Sequence, residues 1–472
     1  MNSYRGALER CRLVVDIVSF WHCSRVSSSE SPRYRAITRA NVGRLPEWAG
    51  LPKDLQDAIR VVSTVLPFKT NHYVVSELID WDRVPDDPIF QMTFVQPKML
   101  APADYARMAD LVHGEAPTAR IKAAADEIRL RLNPHPAGQL THNVPILGGR
   151  RLSGMQHKYR NTLLFFPSQG QTCHAYCTFC FRWAQFVGLT DMKFEARETT
   201  DVTAYLRAHP EIRDVLVTGG DPLVMGASTL ERYLEPLLAP EFEQVDVRIG
   251  TKSVAYWPQR FVSDPDADAL LRVFERVTAS GRHLSIMGHY THPRELSTPV
   301  AQQAIARIRS TGAQIRMQSP LLRHINDEPQ TWAQLWSAGV RLGCVPYYMF
   351  VERDTGPRGY FQVPLERAWQ IFRDAYQQVS GLARTVRGPS MSTFAGKIAI
   401  DGVVEIAGER VFALSFLQAR DPAWVRRPFY AAYDPRASWL DELRPAFGAD
   451  QFFFESAPAQ RRAGGRRLDV IH

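Results

Sequence analysis

Between residues 162 and 348 the chain carries six short runs rich in branched and aromatic side chains: 162–166 (TLLFF), 213–217 (RDVLV), 246–249 (DVRI), 283–287 (HLSIM), 313–317 (AQIRM) and 343–348 (GCVPYY). After the second run begins, successive starts fall 33, 37, 30 and 30 residues apart. The segments between them, such as DADALLRVFERVTASG and TPVAQQAIARIRSTG, repeat apolar residues at spacings of three and four, the period of an amphipathic helix. Strands that alternate with helices at this period are joined by crossovers, so neighbouring strands run parallel. Six βα units are too few for a closed eight-fold barrel. The expected core is an α/β fold, an open, partial (βα)6 barrel.

The flanks have other textures. Residues 46–150 read as mainly helical, in stretches such as LPKDLQDAIRVVSTVL and ADYARMADLVHG, and the Pro/Gly breaker NPHPAGQ closes them. Beyond the barrel, KIAIDGVVEI sets two apolar runs around Asp401-Gly402, a hairpin signal, and VFALSFLQ supplies a further strand. The expected division is a helical N-terminal region (1–150), the partial barrel (151–385) and a small C-terminal extension with a hairpin and a basic tail (386–472). The net charge of +8 lies partly in that tail, AQRRAGGRRLDVIH, which reads as a solvated end and not a nucleic-acid footprint. No apolar run approaches the roughly 18 residues of a membrane span. LVVDIVSFWHC is short and carries Asp16, so no signal peptide is expected and the cytoplasm is the default location.

Three of the six cysteines, Cys173, Cys177 and Cys180, fall in CHAYCTFC, in the loop after the first strand. Cys11, Cys23 and Cys344 are scattered, which excludes a disulfide scaffold. Three thiolates in one short loop suit an iron–sulfur cluster, and three ligands leave one iron open for chemistry. The alternative is a zinc ion held by the three cysteines and a histidine such as His174, although no second CxxC-like pair is present to complete the usual zinc pattern. Barrel ligands bind where the C-terminal strand ends converge. The other unusual segments also follow strands: TGGDPL, GTKS, GHYTHP, MQSPLLRHIND and MFVERD.

A CxxxCxxC motif in the first loop of a partial TIM-like barrel resembles the signature of the radical S-adenosylmethionine (SAM) superfamily. Within it the chain resembles the lysine 2,3-aminomutase family: over about residues 80–420, LNPHP, HKY, CHAYCTFCFR, TGGDPL, RIGTKSVAYWPQR, HYTHP, QSPLLRHIND and VPYY occur in the family's order. The resemblance implies a [4Fe–4S] cluster on Cys173, Cys177 and Cys180 whose open iron chelates SAM. It implies reductive cleavage of SAM to methionine and a 5′-deoxyadenosyl radical. It also implies an amino-acid-like small-molecule substrate and an external electron donor of the flavodoxin or ferredoxin type, and it is compatible with a homo-oligomer.

Site residues carry over one at a time. Gly219, Gly220 and Asp221 match the segment that holds the methionine amino group, with the glycines admitting a close backbone and the carboxylate pairing with an ammonium. Gln318 matches a glutamine near the adenosyl group. Arg182 matches the arginine that binds the substrate α-carboxylate, which a guanidinium meets through both oxygens. Lys397, in TFAGK, falls where the family forms its Schiff base to pyridoxal phosphate (PLP), though GPSMSTFAGK is bulkier than the family's glycine-rich run. The two arginines expected to hold the PLP phosphate map onto Lys158 and Thr162, with Arg160 between them. The two aspartates that pair with a distal ammonium map near Arg353 and Arg387, with Asp354 one place from the first. That reversal of charge implies an acidic or neutral amino acid before lysine.

The function implied is a PLP-assisted radical SAM isomerase, an amino-acid 2,3-aminomutase moving an α-amino group to the β-carbon. Two other readings stay open at this point. One is a PLP-independent relative that uses the same radical for another rearrangement or hydrogen abstraction. The other is an iron–sulfur electron-transfer protein, for which the polar rim and the GGD segment would be superfluous.

Overall fold

The computed structural model describes residues 33–133, 143–188, 194–197 and 199–455. Residues Tyr34–His472 form one compact unit and Met1–Arg33 another. Cys11, Cys23, the basic tail and most of NPHPAGQ lie outside the described residues.

Two short pairs come first: β1 (Ala36–Thr38) with β2 (Lys69–Asn71), and β3 (Ile146–Leu147) with β4 (Arg150–Arg151). The main sheet then follows chain order from one edge to the other. It begins with β5 (Met155–Tyr159), antiparallel to β6 (Thr162–Phe165). From β6 the strands run parallel through β7 (Asp214–Val217), β8 (Asp246–Thr251), β9 (Leu284–His289), β10 (Gln314–Leu321), β11 (Val345–Val351) and β12 (Arg387–Ser392). All six expected strands are present. The helices Thr200–Ala208, Ala227–Leu234, Ala267–Ala279, Pro299–Ser310, Pro329–Arg341 and Leu365–Gln377 connect them, giving six βα units and a seventh parallel strand, β12. Sequence reading missed β12 because RGPSMS has glycine, proline and two serines where a strand pattern would have branched residues.

Local chemistry explains the crossover helices. Thr298 caps Pro299–Ser310 by accepting from Ala301 N, with Pro299 in the first turn, where its missing N–H costs nothing. In Ala267–Ala279 the buried face is Ala267, Leu270, Leu271, Phe274 and Val277, on the period of three and four. On β8, Val247 and Ile249 are buried while Arg248 and Gly250 between them are half-buried.

The N-terminal helices Lys53–Val62, Pro102–His113 and Thr118–Leu132 form as expected. Their apolar faces join the barrel in one hydrophobic cluster running from Ile37 to Val386. A second cluster, Val351 to Phe454, lies under the extension. That extension is β13 (Gly396–Ile406), β14 (Glu409–Ala419) and β15 (Pro428–Ala432), all antiparallel. The expected turn at Asp401-Gly402 is not there. β13 runs through it with a register shift between Ile400 and Gly402, a bulge that an Asp-Gly pair accommodates as readily as a turn. The chain turns at Ala407-Gly408, both at positive φ (52° and 80°) as a two-residue hairpin requires, and Ala407 gives no sequence hint of it.

The open barrel meets itself through side chains. Lys158, on β5, donates through Nζ to the Thr393 carbonyl oxygen at the far end of β12. Arg420, just past β14, bonds Asn143 on the opposite side.

Candidate active site

The cysteine loop leaves the C-terminal end of β6 and is held on several sides. The N-terminal region grips it: Tyr176 N donates to Lys69 O (2.7 Å), Thr178 N to Met92 O (2.9 Å) and Thr178 Oγ1 to Gln91 O (2.8 Å). The Tyr34 hydroxyl and Asn71 Nδ2 both donate to the His174 carbonyl oxygen. These gripping residues were invisible in the sequence, because their role is set by which backbone groups they meet and not by residue type.

Burial pushes the Cys177 thiol up to about 11 and Cys180 to about 12, and it pushes Cys173 well up. The neighbouring thiols add to this at Cys173 and Cys180. Three thiolates cannot share this loop without a cation, and a metal-bound thiol is deprotonated outright. Yet among the described residues no group of three His, Cys, Asp or Glu side chains converges to hold a single ion. One zinc ion, with Zn–S near 2.3 Å, would draw its sulfurs to about 4 Å of one another. A cluster binds each thiolate to a different iron and asks for no such convergence. His174, the fourth ligand of the zinc alternative, packs between Tyr34 and Trp257 with Nδ1 bound to Ser253 Oγ at 2.8 Å. Burial lowers it to about 3, so it stays neutral.

The GGD turn after β7 locks onto this loop. A Cβ on Gly220 would lie 2.6 Å from both Thr172 N and Thr172 O, and one on Gly219 2.5 Å from Gln171 Nε2. Asp221 N donates to Gly170 O (3.0 Å) and Thr172 O (2.7 Å). The glycines therefore admit the strand that leads into Cys173, which corrects the expectation that they are there to admit a ligand. The Asp221 carboxylate also departs from expectation. It accepts from Leu223 N, Thr251 Oγ1, Lys252 N, Ser253 N and Ser253 Oγ at 2.8–2.9 Å, which fills its acceptor sites. It ties the GGD turn to the loop after β8 instead of offering a free carboxylate to an ammonium.

Gln318 lies on β10 in register with His289 and Tyr348, half-buried at the same end of the sheet. Arg182 stacks on Phe166 at 4.3 Å and donates to Gln185 Oε1 (3.1 Å), while its Nε is buried without a partner. Burial lowers its guanidinium to about 10. Lys397 extends its amine to 3.8 Å from the Tyr348 ring centroid and 5.1 Å from that of Phe350. Burial, then the charges of Arg248 and Arg387, lower it to about 7.

Arg353 and Arg387 do not form one rim. Arg353 faces Phe181 and Trp439 and pairs with Asp354 at 3.7 Å. Arg387 stacks on Tyr347 and Tyr348 and lines a cavity of about 560 Å³ with Asp214, Arg248, Ser285 and Arg316, at the N-terminal strand ends. The expected pairing of the two arginines fails because β12 enters the sheet at Arg387, a full strand length below the rim. The sequence reading passed over Glu352. It is buried at the end of β11, beside Arg353 and within the field of Cys180, and burial pushes its carboxyl well up.

No family model matches the chain. A lysine 2,3-aminomutase-like protein of Aquifex aeolicus is 32% identical over 393 residues, spanning 83% of this chain and 91% of the relative. The L-lysine 2,3-aminomutase of Escherichia coli is 31% identical over 246 residues, 51% of this chain and 68% of the relative. The chain belongs to the lysine 2,3-aminomutase family. The Clostridium subterminale L-lysine 2,3-aminomutase in this family is 27% identical over 228 residues, 48% of this chain and 51% of its own. Among solved structures, Streptococcus suis SuiB bound to SAM aligns over 58% of each chain at 10% identity and a TM-score of 0.34, too loose a likeness to argue from. Against the family's pattern, the departures at Lys158, Arg353 and Arg387 are this chain's own.

Proposed function

We propose that this chain is a radical SAM amino-acid aminomutase, shifting an α-amino group to the adjacent β-carbon. The observation that carries the reading is Lys397: a desolvated amine between two aromatic rings, at about 7, in the same barrel as a three-cysteine loop. A lysine held near neutrality is nucleophilic at ordinary pH, as carbonyl-binding lysines must be. The donor sets fit the groups that the family implies: three thiols that do not converge on one ion, and an amine among cations suited to a phosphorylated aldehyde.

In this reading Cys173, Cys177 and Cys180 hold the [4Fe–4S] cluster, and Gly219, Gly220 and Gln318 border SAM. Lys397 holds PLP, and Arg182, with its unused Nε, receives the substrate α-carboxylate. When bound, the cluster and SAM supply homolytic hydrogen abstraction and PLP carries the migrating nitrogen. The chain's own residues fix geometry and exclude water. Asp221 clamps the loops after β7 and β8, and the N-terminal region holds the cysteine loop. Among the described residues no helix is long and apolar enough to cross a membrane. The proposed setting is the cytoplasm, with an external flavodoxin- or ferredoxin-type donor.

The test is anaerobic incubation of the reconstituted protein with SAM, reductant and a panel of amino acids, followed by chromatography for β-isomers. A β-amino acid product supports the reading. SAM cleavage with no isomer from any amino acid overturns it.

A further inference from the structure

Four cationic side chains gather where the open barrel meets itself. Lys158 feels the charges of Arg353, Arg420 and Lys397, and no carboxylate contributes to its surroundings. Arg353 has Asp354 at 3.7 Å. Lys158 and Arg420 have no carboxylate partner among the described residues. Their bonds are to neutral acceptors: Lys158 to Thr393 O, and Arg420 Nε to Phe394 O (2.7 Å) and one terminal nitrogen to Asn143 Oδ1. The other terminal nitrogen of Arg420 has no protein acceptor among them. Between the two, Tyr159 lies close enough for Arg353 and Arg420 to oppose the rise that burial imposes on its hydroxyl. Desolvated cations without counter-ions are costly, and a site that tolerates them is built for an anion.

We propose that Lys158 and Arg420 hold the phosphate of PLP at this seam, an assignment that rests on the PLP-dependent reading above. Lys158 keeps the position of one lost family arginine but offers only a point charge. Arg420 reaches the seam from beyond β14, some 260 residues later in the chain, and supplies the planar fork that Thr162 cannot. Arg160, the substitute that sequence suggested, is exposed, and its carbonyl oxygen meets His157. Lys397 is near enough to influence Lys158, so one ligand can meet the amine through its aldehyde and the seam through its phosphate.

The experiment compares equilibrium binding of PLP and of pyridoxal, which lacks the phosphate, by full-length wild type, Arg420→Gln, Arg420→Lys, Lys158→Gln and Arg316→Ala. Borohydride trapping and peptide mass then locate the label. Wild type should prefer PLP strongly. Arg420→Gln and Lys158→Gln should each weaken PLP about ten- to a hundred-fold, the loss of one charge-assisted bond, with pyridoxal binding unchanged. Arg420→Lys should fall between, and Arg316→Ala should match wild type. Unchanged pyridoxal binding also shows that the variants are folded. Equal affinity of wild type for PLP and pyridoxal, or an unaltered preference in both glutamine variants, overturns the assignment while leaving PLP on Lys397. No trapped label on Lys397 with either aldehyde overturns the PLP reading itself, and the assignment with it.

Discussion

The amine of Lys397 lies 3.8 Å from the centroid of the Tyr348 ring, and that contact places a cation donor from β13 over an aromatic face of β11. The ring stabilises whatever charge remains, while burial and the nearby guanidiniums of Arg248 and Arg387 remove most of the reason to be charged. Reductive labelling of apo-protein by pyridoxal should therefore rise with pH around a midpoint near 7, where ordinary lysines begin to react only toward 10. A midpoint above 9 for the Lys397 peptide would contradict this.

The same shift has a stability consequence. Lys397 sits at about 7 in the folded chain and near 10.5 when unfolded, so between those values the unfolded chain binds the extra proton. Folding stability of the apo-protein from this group rises with pH across that window, and the full penalty is present below 7. Lys397→Met should melt several degrees above wild type at pH 7, and the gap should close toward pH 10. An equal or lower melting temperature at pH 7 would show that the amine is solvated.

Asp221 should act as a clamp. Asp221→Asn keeps the size but replaces one acceptor oxygen with a donor facing Thr251 and the backbone of Lys252 and Ser253. The expected cost is about 2–4 kcal/mol, seen as a lower melting temperature together with reduced iron uptake. Loss of SAM affinity at unchanged stability and iron content would instead mean that the carboxylate meets the ligand.

Gly220→Ala forces a methyl into Thr172 backbone, one residue before Cys173, and backbone cannot step aside as a side chain can. Reconstituted iron should fall well below the wild-type level. Gly359→Ala, with nothing within 4 Å of the added carbon, is the matched control and should load fully.

Substrate charge follows from the seam. Arg182, Arg353, Lys158 and Arg420 surround a partly desolvated space in which a distal ammonium is disfavoured. Glutamate-like or neutral amino acids should outperform lysine in the isomerase assay. Preferential turnover of lysine would point to Asp354, half-buried beside Arg353, as the residue that neutralises the pocket.

Much of this was legible before any coordinates. The βα rhythm gave six strands to within about two residues at their starts, because buried parallel strands must be continuously apolar and their crossover helices amphipathic. The cysteine loop was legible because three thiols at fixed spacing have few uses. What stayed hidden was set by tertiary contact. β12 carries no strand-like residues, the Ala407-Gly408 turn uses an alanine at positive φ, and Asp221 looks like a ligand group until the donors around it are counted. Arg420 is a lone arginine in QARDP, and only the closing of the sheet brings it to Lys158.

The most direct measurement is iron content and 5′-deoxyadenosine formation in anaerobically reconstituted protein supplied with SAM and a strong reductant. About four irons per chain are expected in wild type, with SAM cleaved. Cys173→Ala, Cys177→Ala and Cys180→Ala should each abolish cleavage, while Cys344→Ala, buried beneath the barrel helices, should retain it. Stoichiometric zinc without iron, or undiminished cleavage in any of the three loop variants, would contradict the account.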